Sequence, residues 1–222
     1  MRTEASTLTR LRVNNLHSCI LFDGAEKSTQ ALLPFVREGI AQGERCILLI
    51  EGSRFGLWKA AIEEDGIDVH ANIEAGNLSF RSNANWLPPG EFNSIRMARQ
   101  VWEAIERSTE RHPGVRVVAD LSWTLAAGIP SDRVCHWEAT LDCLLEGTPA
   151  QVVCMYDRLQ MPVDSIHAAL RTHRTVLLGE RLFDNNPNYE APAILAHEPE
   201  LNSCSEDPGI MHSMLTAFQQ PV

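Results

Sequence analysis

The chain has no run of about 18 apolar residues, the length a helix needs to cross a bilayer. Its first stretch, Met1 to Asn14, is polar and has no apolar core of the kind a secretory signal carries. No two of its six cysteines form a Cys-x-x-Cys pair, and Cys135-His136 has no second ligand pair at zinc-finger spacing. A disulfide scaffold and a structural zinc finger are therefore not expected. A reduced, cytoplasmic chain is, with its thiols packed as small hydrophobes. Basic charge is also scarce: 19 Lys and Arg stand against 29 Asp and Glu, a net charge of −10. That balance argues against a nucleic-acid surface. No Gly-x-Ser-x-Gly elbow surrounds Ser122, so no serine hydrolase is indicated.

What is present is apolar patterning. Hydrophobic residues make up 44% of the 222 positions, enough for one full core. Val115 to Ala119, bounded by Pro113-Gly114, reads as a strand buried on both faces. His17 to Phe22, Cys46 to Ile50, Val152 to Tyr156 and Thr175 to Leu178 read alike, with weaker strands at Ile67–Val69 and Leu78–Phe80. Between them, apolar residues recur at helical spacing over Glu26–Ala41, Leu57–Ile62, Asn93–Arg111, Ser131–Leu145 and Pro162–Arg171. Strands alternating with helices predict an α/β domain with a mostly parallel sheet covered by helices on both faces. Residues 1–15 read as a lead-in, 16–197 as one domain, and 198–222 as a polar tail.

Several strands end on polar or aromatic residues: Phe22-Asp23, Glu51, Asp120-Leu-Ser122-Trp123 and Tyr156-Asp157. In open α/β sheets ligands bind at the carboxyl ends of the strands. A single acidic strand end is usually a turn or cap residue, and Asp120 could equally cap the next helix. Four such ends together point to a pocket in which Trp123 and Tyr156 supply contact surface and the acids fix orientation or hold a cation.

The turn after the first strand, Asp23-Gly-Ala-Glu-Lys-Ser-Thr29, contains the Lys-Ser of a phosphate loop. Such a loop needs two glycines so that its amides can wrap the phosphates, and here Leu21 and Glu26 stand in those positions. Nucleotide hydrolysis is not expected.

The chain resembles the MEDS family, the methanogen/methylotroph DcmR sensory domain. The resemblance rests on His17-Ser-Cys19-Ile-Leu-Phe22, Gly39-Ile-Ala-Gln-Gly43-Glu44-Arg-Cys46, Asp120-Leu-Ser-Trp123, Trp137-Glu138, Cys154-Met-Tyr156-Asp157, Arg171-Thr-His173 and Asn186-Pro187-Asn-Tyr189-Glu-Ala-Pro192. It implies a RecA/KaiC-like fold with a degenerate phosphate loop. It also implies a role in sensing hydrocarbon derivatives such as one-carbon compounds, with output to a histidine kinase or a transcription regulator. The chain departs from many relatives at Phe22, where they carry tyrosine.

The ligand-binding residues expected are Asp120, Ser122, Trp123, Glu138, Tyr156 and Asp157, with Glu51 behind them. His17, Cys19 and His173 are secondary candidates, as soft ligands for a metal or as reactive groups. The residues identify neither the metal nor a cofactor, and self-association stays open. The rival readings are a residual nucleotide-binding or metal-assisted enzyme on the same fold, and an interaction module that docks through the Asn93–Arg111 helix or the tail.

Overall fold

The computed structural model describes residues 17–82, 92–179 and 181–195. The lead-in, the Pro88-Pro89-Gly90 break, the tail and Cys204 lie outside them. In chain order the elements are β1 (His17–Phe22), α1 (Ala25–Ala41), β2 (Arg45–Ile50), α2 (Phe55–Glu64), α3 (Val69–Glu74), β3 (Leu78–Ser82), α4 (Ser94–Thr109), β4 (Val115–Asp120), α5 (Ser122–Ala126), α6 (Ser131–Leu145), β5 (Ala150–Asp157), α7 (Val163–Thr172), β6 (Thr175–Leu178), β7 (Arg181–Phe183) and α8 (Pro192–Leu195).

These strands form one seven-stranded sheet in the order β3-β2-β4-β5-β1-β6-β7. The first six pair in parallel, and β7 returns antiparallel to β6. The parallel α/β architecture is the one the alternating pattern predicts. Because strand side chains alternate between faces, each strand feeds two cores. Ile20, Phe22, Leu48, Ile50, Val118, Val153 and Met155 pack under α1 and α2, against Leu32, Phe35, Val36, Trp58 and Ile62. Cys19, Leu21, Leu49, Val117, Ala119, Cys154 and Tyr156 pack under α4 and α6, against Met97, Val101, Ile105, Trp137 and Leu141.

One expected element is different. The strand read at Ile67–Val69 is absent; Val69 opens α3 instead. Asp68 caps that helix, its carboxylate accepting from the Ala71 amide at 2.8 Å. A helix cap outweighs the two β-branched residues, Ile67 and Val69, that flank it. Asn93 caps α4 in the same way, accepting from the Arg96 amide at 2.8 Å.

The Gly39-to-Cys46 motif is explained by a buried cation. Arg116 of β4 is only 2% exposed. It donates to the Phe35 carbonyl at 2.8 Å and pairs with Glu38 and Glu44. A Cβ on Gly39 would come within 2.7 Å of both Arg116 Cδ and Cys46 Sγ. Glycine here lets α1 close over the guanidinium. Gly39→Ala is expected to overpack this contact and cost about 1–3 kcal/mol, read as a lower urea midpoint with an unchanged slope.

The five described cysteines are all free thiols. Four are buried, and burial pushes the Cys46 thiol up to about 12. Native labelling should reach half-buried Cys143 before Cys46 or Cys154. Mass mapping with a thiol reagent checks the order.

Candidate functional site

Two groups of side chains gather on the α6 face of the sheet. The inner one begins at His17, the first residue of β1, which faces α6 along with Cys19 two residues on. In the parallel register Cys19 lies beside Cys154 of β5, and Tyr156 follows on the same face. From above, α6 lowers Glu138, with Asp142 one turn later on the same side of the helix. From the end of α7 comes His173.

The contacts converge. His17 Nε2 lies 3.0 Å from Glu138 Oε2 and 3.1 Å from His173 Nε2. Cys154 Sγ is 3.5 Å from both His17 Nε2 and Glu138 Oε2. The far atoms are held as well. Tyr156 Oη donates to Glu138 Oε1 at 2.8 Å, and His173 Nδ1 meets the Ala169 carbonyl at 2.8 Å. His17 Nδ1 lies at ion-pair range, 3.4 Å, from Asp142 Oδ1. Tyr189 Oη donates to Asp142 Oδ2 at 2.9 Å. The Asn186-to-Pro192 motif sets that tyrosine in place, because Asn186 Nδ2 donates to the Leu170 and His173 carbonyls at 2.6 and 2.9 Å.

This cluster is almost dry: His17, Glu138, Cys154 and His173 are each at most 3% exposed. Burial alone would lower the His17 pKa, but the Asp142 and Glu138 carboxylates overcome it and raise it from 6.5 to about 9. His173 drops to about 4, through burial and the neighbouring His17 charge. Burial pushes Glu138 up, yet the His17 hydrogen bond and the imidazole charges hold it below the ordinary carboxylate value. Burial and the Glu138 charge drive the Cys154 thiol and Tyr156 phenol well above their usual ranges.

The second group is a small cavity that meets the first at Cys154. Leu49, Val101, Val117, Trp123, Trp137 and Cys154 wall it, with Asp120 on its rim, and it encloses about 20 Å³. That is room for about one water. Trp123 and Trp137 stack edge-on at 6.1 Å, and Phe92 closes against both. The Trp137 indole N–H is buried and has no hydrogen-bond partner among the described residues.

The ten expected residues therefore do not form one pocket. Glu138, Tyr156, His17, Cys19 and His173 gather in the inner cluster, and Trp123 and Asp120 border the cavity. Asp120 accepts from the Ser122 amide at 3.0 Å through Oδ1, and Arg54 Nη1 lies 2.8 Å from its Oδ2. Ser122 opens α5, half-buried, and Glu51 is exposed. Asp157 faces the other side, where it accepts from the Gly24 and Leu159 amides and the Gln160 side chain. Adjacent residues on a strand point to opposite faces, so Tyr156 and Asp157 cannot share a pocket wall. The sequence reading missed Cys154, Asp142, Trp137 and Arg54. Two signals were available: Asp142 four residues after Glu138 on one helix, and Cys154 two before Tyr156 on one strand.

The phosphate-loop position is also filled. Only Asp23 and Gly24 separate β1 from α1. The Asp157 carboxylate holds the Gly24 amide at 3.3 Å, and the Ser28 hydroxyl donates to the Ala25 carbonyl at 2.8 Å. Neither group is presented to a phosphate.

The family model for the MEthanogen/methylotroph, DcmR Sensory domain matches residues 16–174. The chain belongs to the MEDS family. It is 24% identical over 159 residues to the transcriptional repressor DcmR of Methylorubrum extorquens. That match takes in 71% of this chain and 57% of the repressor, so the chain spans little more than half of that relative. The structure is similar to that of a KaiC-like protein from Pyrococcus horikoshii, with a TM-score of 0.52, 11% identity, and coverage of 73% of this chain and 70% of the other. The chain thus has a KaiC-like, RecA-type α/β fold, and membership of a sensory-domain family gives it a sensory or regulatory role. No helix among the described residues is long and apolar enough to cross a membrane.

Asp120 and Arg54 are 1% and 11% exposed at their side chains, too buried for solvent to screen the pair fully. In a double-mutant cycle, Asp120→Asn and Arg54→Met should couple by about 0.5–3 kcal/mol, read from chemical unfolding. Additive effects would show that Asp120 acts only as the local cap of Ser122.

Proposed function

We propose that this chain is a non-enzymatic sensory domain that holds a small, largely apolar ligand between the sheet and helices α4 and α6, and passes the signal to a partner regulator. The observation that carries the reading is the cavity itself. Its walls are mostly aliphatic and aromatic, with Cys154 and Asp120 beside them, and the buried Trp137 N–H has no partner among the described residues. A buried donor of this kind costs about 1–3 kcal/mol when unsatisfied, and a ligand with a single acceptor atom recovers it. One-carbon halides, alcohols and aldehydes have that chemistry: a small apolar body and one electronegative atom.

The cavity accommodates about one water, so even a one-carbon guest needs a wall to yield. Trp123 on the short helix α5 is the wall best able to do so, being half-buried while Trp137 is 3% exposed. A shift of Trp123 would move α5 at the carboxyl edge of β4, a route by which occupancy reaches the surface. The repressor relative supports a transcription regulator as the output, and a histidine kinase is the other output proposed. The charge of −10 favours contact with a protein over direct contact with nucleic acid.

The test is a panel of one-carbon halides, alcohols and aldehydes, followed by tryptophan fluorescence and thermal unfolding. At least one class should shift the emission and raise the melting temperature. At a hundred times its dissociation constant a ligand adds about 2.7 kcal/mol. Ala119 of β4 also lines the cavity, so Ala119→Val, which fills it, should keep the fold and abolish both responses. Binding by Ala119→Val that equals the parent would place the ligand elsewhere.

A further inference from the structure

We propose that His17, Glu138, Cys154 and His173 form a tetrahedral transition-metal site, with chemistry suited to Zn²⁺. The proposal does not rest on the small-ligand reading, since it concerns the four side chains deeper under α6.

The first support is the donor geometry. Four ligand atoms, two imidazole nitrogens, one carboxylate oxygen and one sulfur, all lie within 4.8 Å of one another. Zinc bonds of about 2.0–2.1 Å to nitrogen or oxygen and about 2.3 Å to sulfur put tetrahedral ligand atoms roughly 3.3–3.6 Å apart. Here the His17–Glu138, His17–His173 and His173–Glu138 separations are 3.0, 3.1 and 3.8 Å, and the Cys154 sulfur lies 3.5 Å from His17 and from Glu138. Five of the six separations need adjustments of only a few tenths of an ångström, and the sixth, between His173 and Cys154, lies within 4.8 Å and closes as the His173 ring swings toward the shared centre.

The second support is orientation. A carbonyl can only accept, so the His173 Nδ1 facing the Ala169 carbonyl carries the proton and its Nε2 turns a lone pair inward. Asp142 lies behind His17 Nδ1, and Tyr156 holds the outer oxygen of Glu138. A partner behind each ligand that fixes its tautomer or rotamer is how metal sites are built. The Asn186 clamp and Tyr189 extend this outer layer to the end of the domain.

The third is charge. A divalent cation bound by one carboxylate, one thiolate and two neutral imidazoles is electrically balanced, as a water-excluded site requires. Four protein ligands and little exposure describe a closed site that supports the fold rather than an open catalytic one. Asp142, with 23% of its side chain exposed, leaves a path to solvent.

The test uses tag-free full-length protein, expressed with added zinc and dialysed exhaustively, with zinc alone as the first probe. Elemental analysis should find about one zinc per chain. Protein refolded with Co²⁺ should show the intense visible bands of a tetrahedral ion and a thiolate charge-transfer band. Cys154→Ser should remove the charge-transfer band, and Cys143→Ser should leave both features intact. Asp142→Asn and Tyr156→Phe touch only the outer layer. They should keep the type of spectrum while weakening affinity by about 10–100-fold, and they carry the test should Cys154→Ser fail to fold. A folded protein with substoichiometric zinc and no tetrahedral Co²⁺ spectrum overturns the proposal. So does full zinc binding that survives both outer-layer substitutions unweakened, because the metal would then sit elsewhere.

Discussion

The contact on which the α6 face depends is the buried pairing of His17 with Glu138. A carboxylate held 1% exposed between a helix and a parallel sheet is costly unless every lone pair is met. His17, Tyr156 and Cys154 meet it here, and each neighbour needs a partner in turn. His17 brings in Asp142, Asp142 brings in Tyr189, and His173 is fixed by Ala169 and by the Asn186 clamp. One buried acid therefore recruits β1, β5, α6, α7 and the segment after β7 into a single network. A network of this kind tends to specify one arrangement, because any partial version leaves an ion exposed to a dry interior.

The two faces of the sheet differ in chemistry. Under α1 and α2 the packing is aliphatic and aromatic, with the buried Arg116 pinned by α1 and the turn that follows it. The position where a RecA-type sheet would hold phosphate is occupied by a short turn and by Asp157. Under α4 and α6 the same strands present sulfur, imidazole and carboxylate beside an apolar cavity. The buried histidine–carboxylate cluster and the apolar cavity thus share one face of the sheet.

Much of the fold is legible in the residues. Apolar runs bounded by glycine and proline locate the parallel strands, and helical spacing locates the helices between them. The Ile67–Val69 misreading shows where local propensity loses to an Asp68 cap. Site residues are legible by type and only partly by place. His17, Glu138, Tyr156 and His173 stand out, but strand-end logic assigns Tyr156 to an edge pocket. Strand alternation instead turns its ring under α6 and leaves Asp157 on the opposite face. Nor does linear sequence disclose that β1 inserts between β5 and β6, which is the crossover that brings His17 beside Cys154 and His173. The likeness of the motifs to a sensory family carried more functional information than any single residue.

The central claim is that sensing occurs on the α6 face. Hydrogen exchange of the amides, followed with and without a one-carbon compound that stabilises the protein, tests it most directly. Protection should increase along α6, in β5 around Cys154 and in α5, while α1 and the Gly24 turn exchange as before. Protection gained at Gly24 to Ser28, with α6 unaffected, would contradict it and place the site at the turn between β1 and α1.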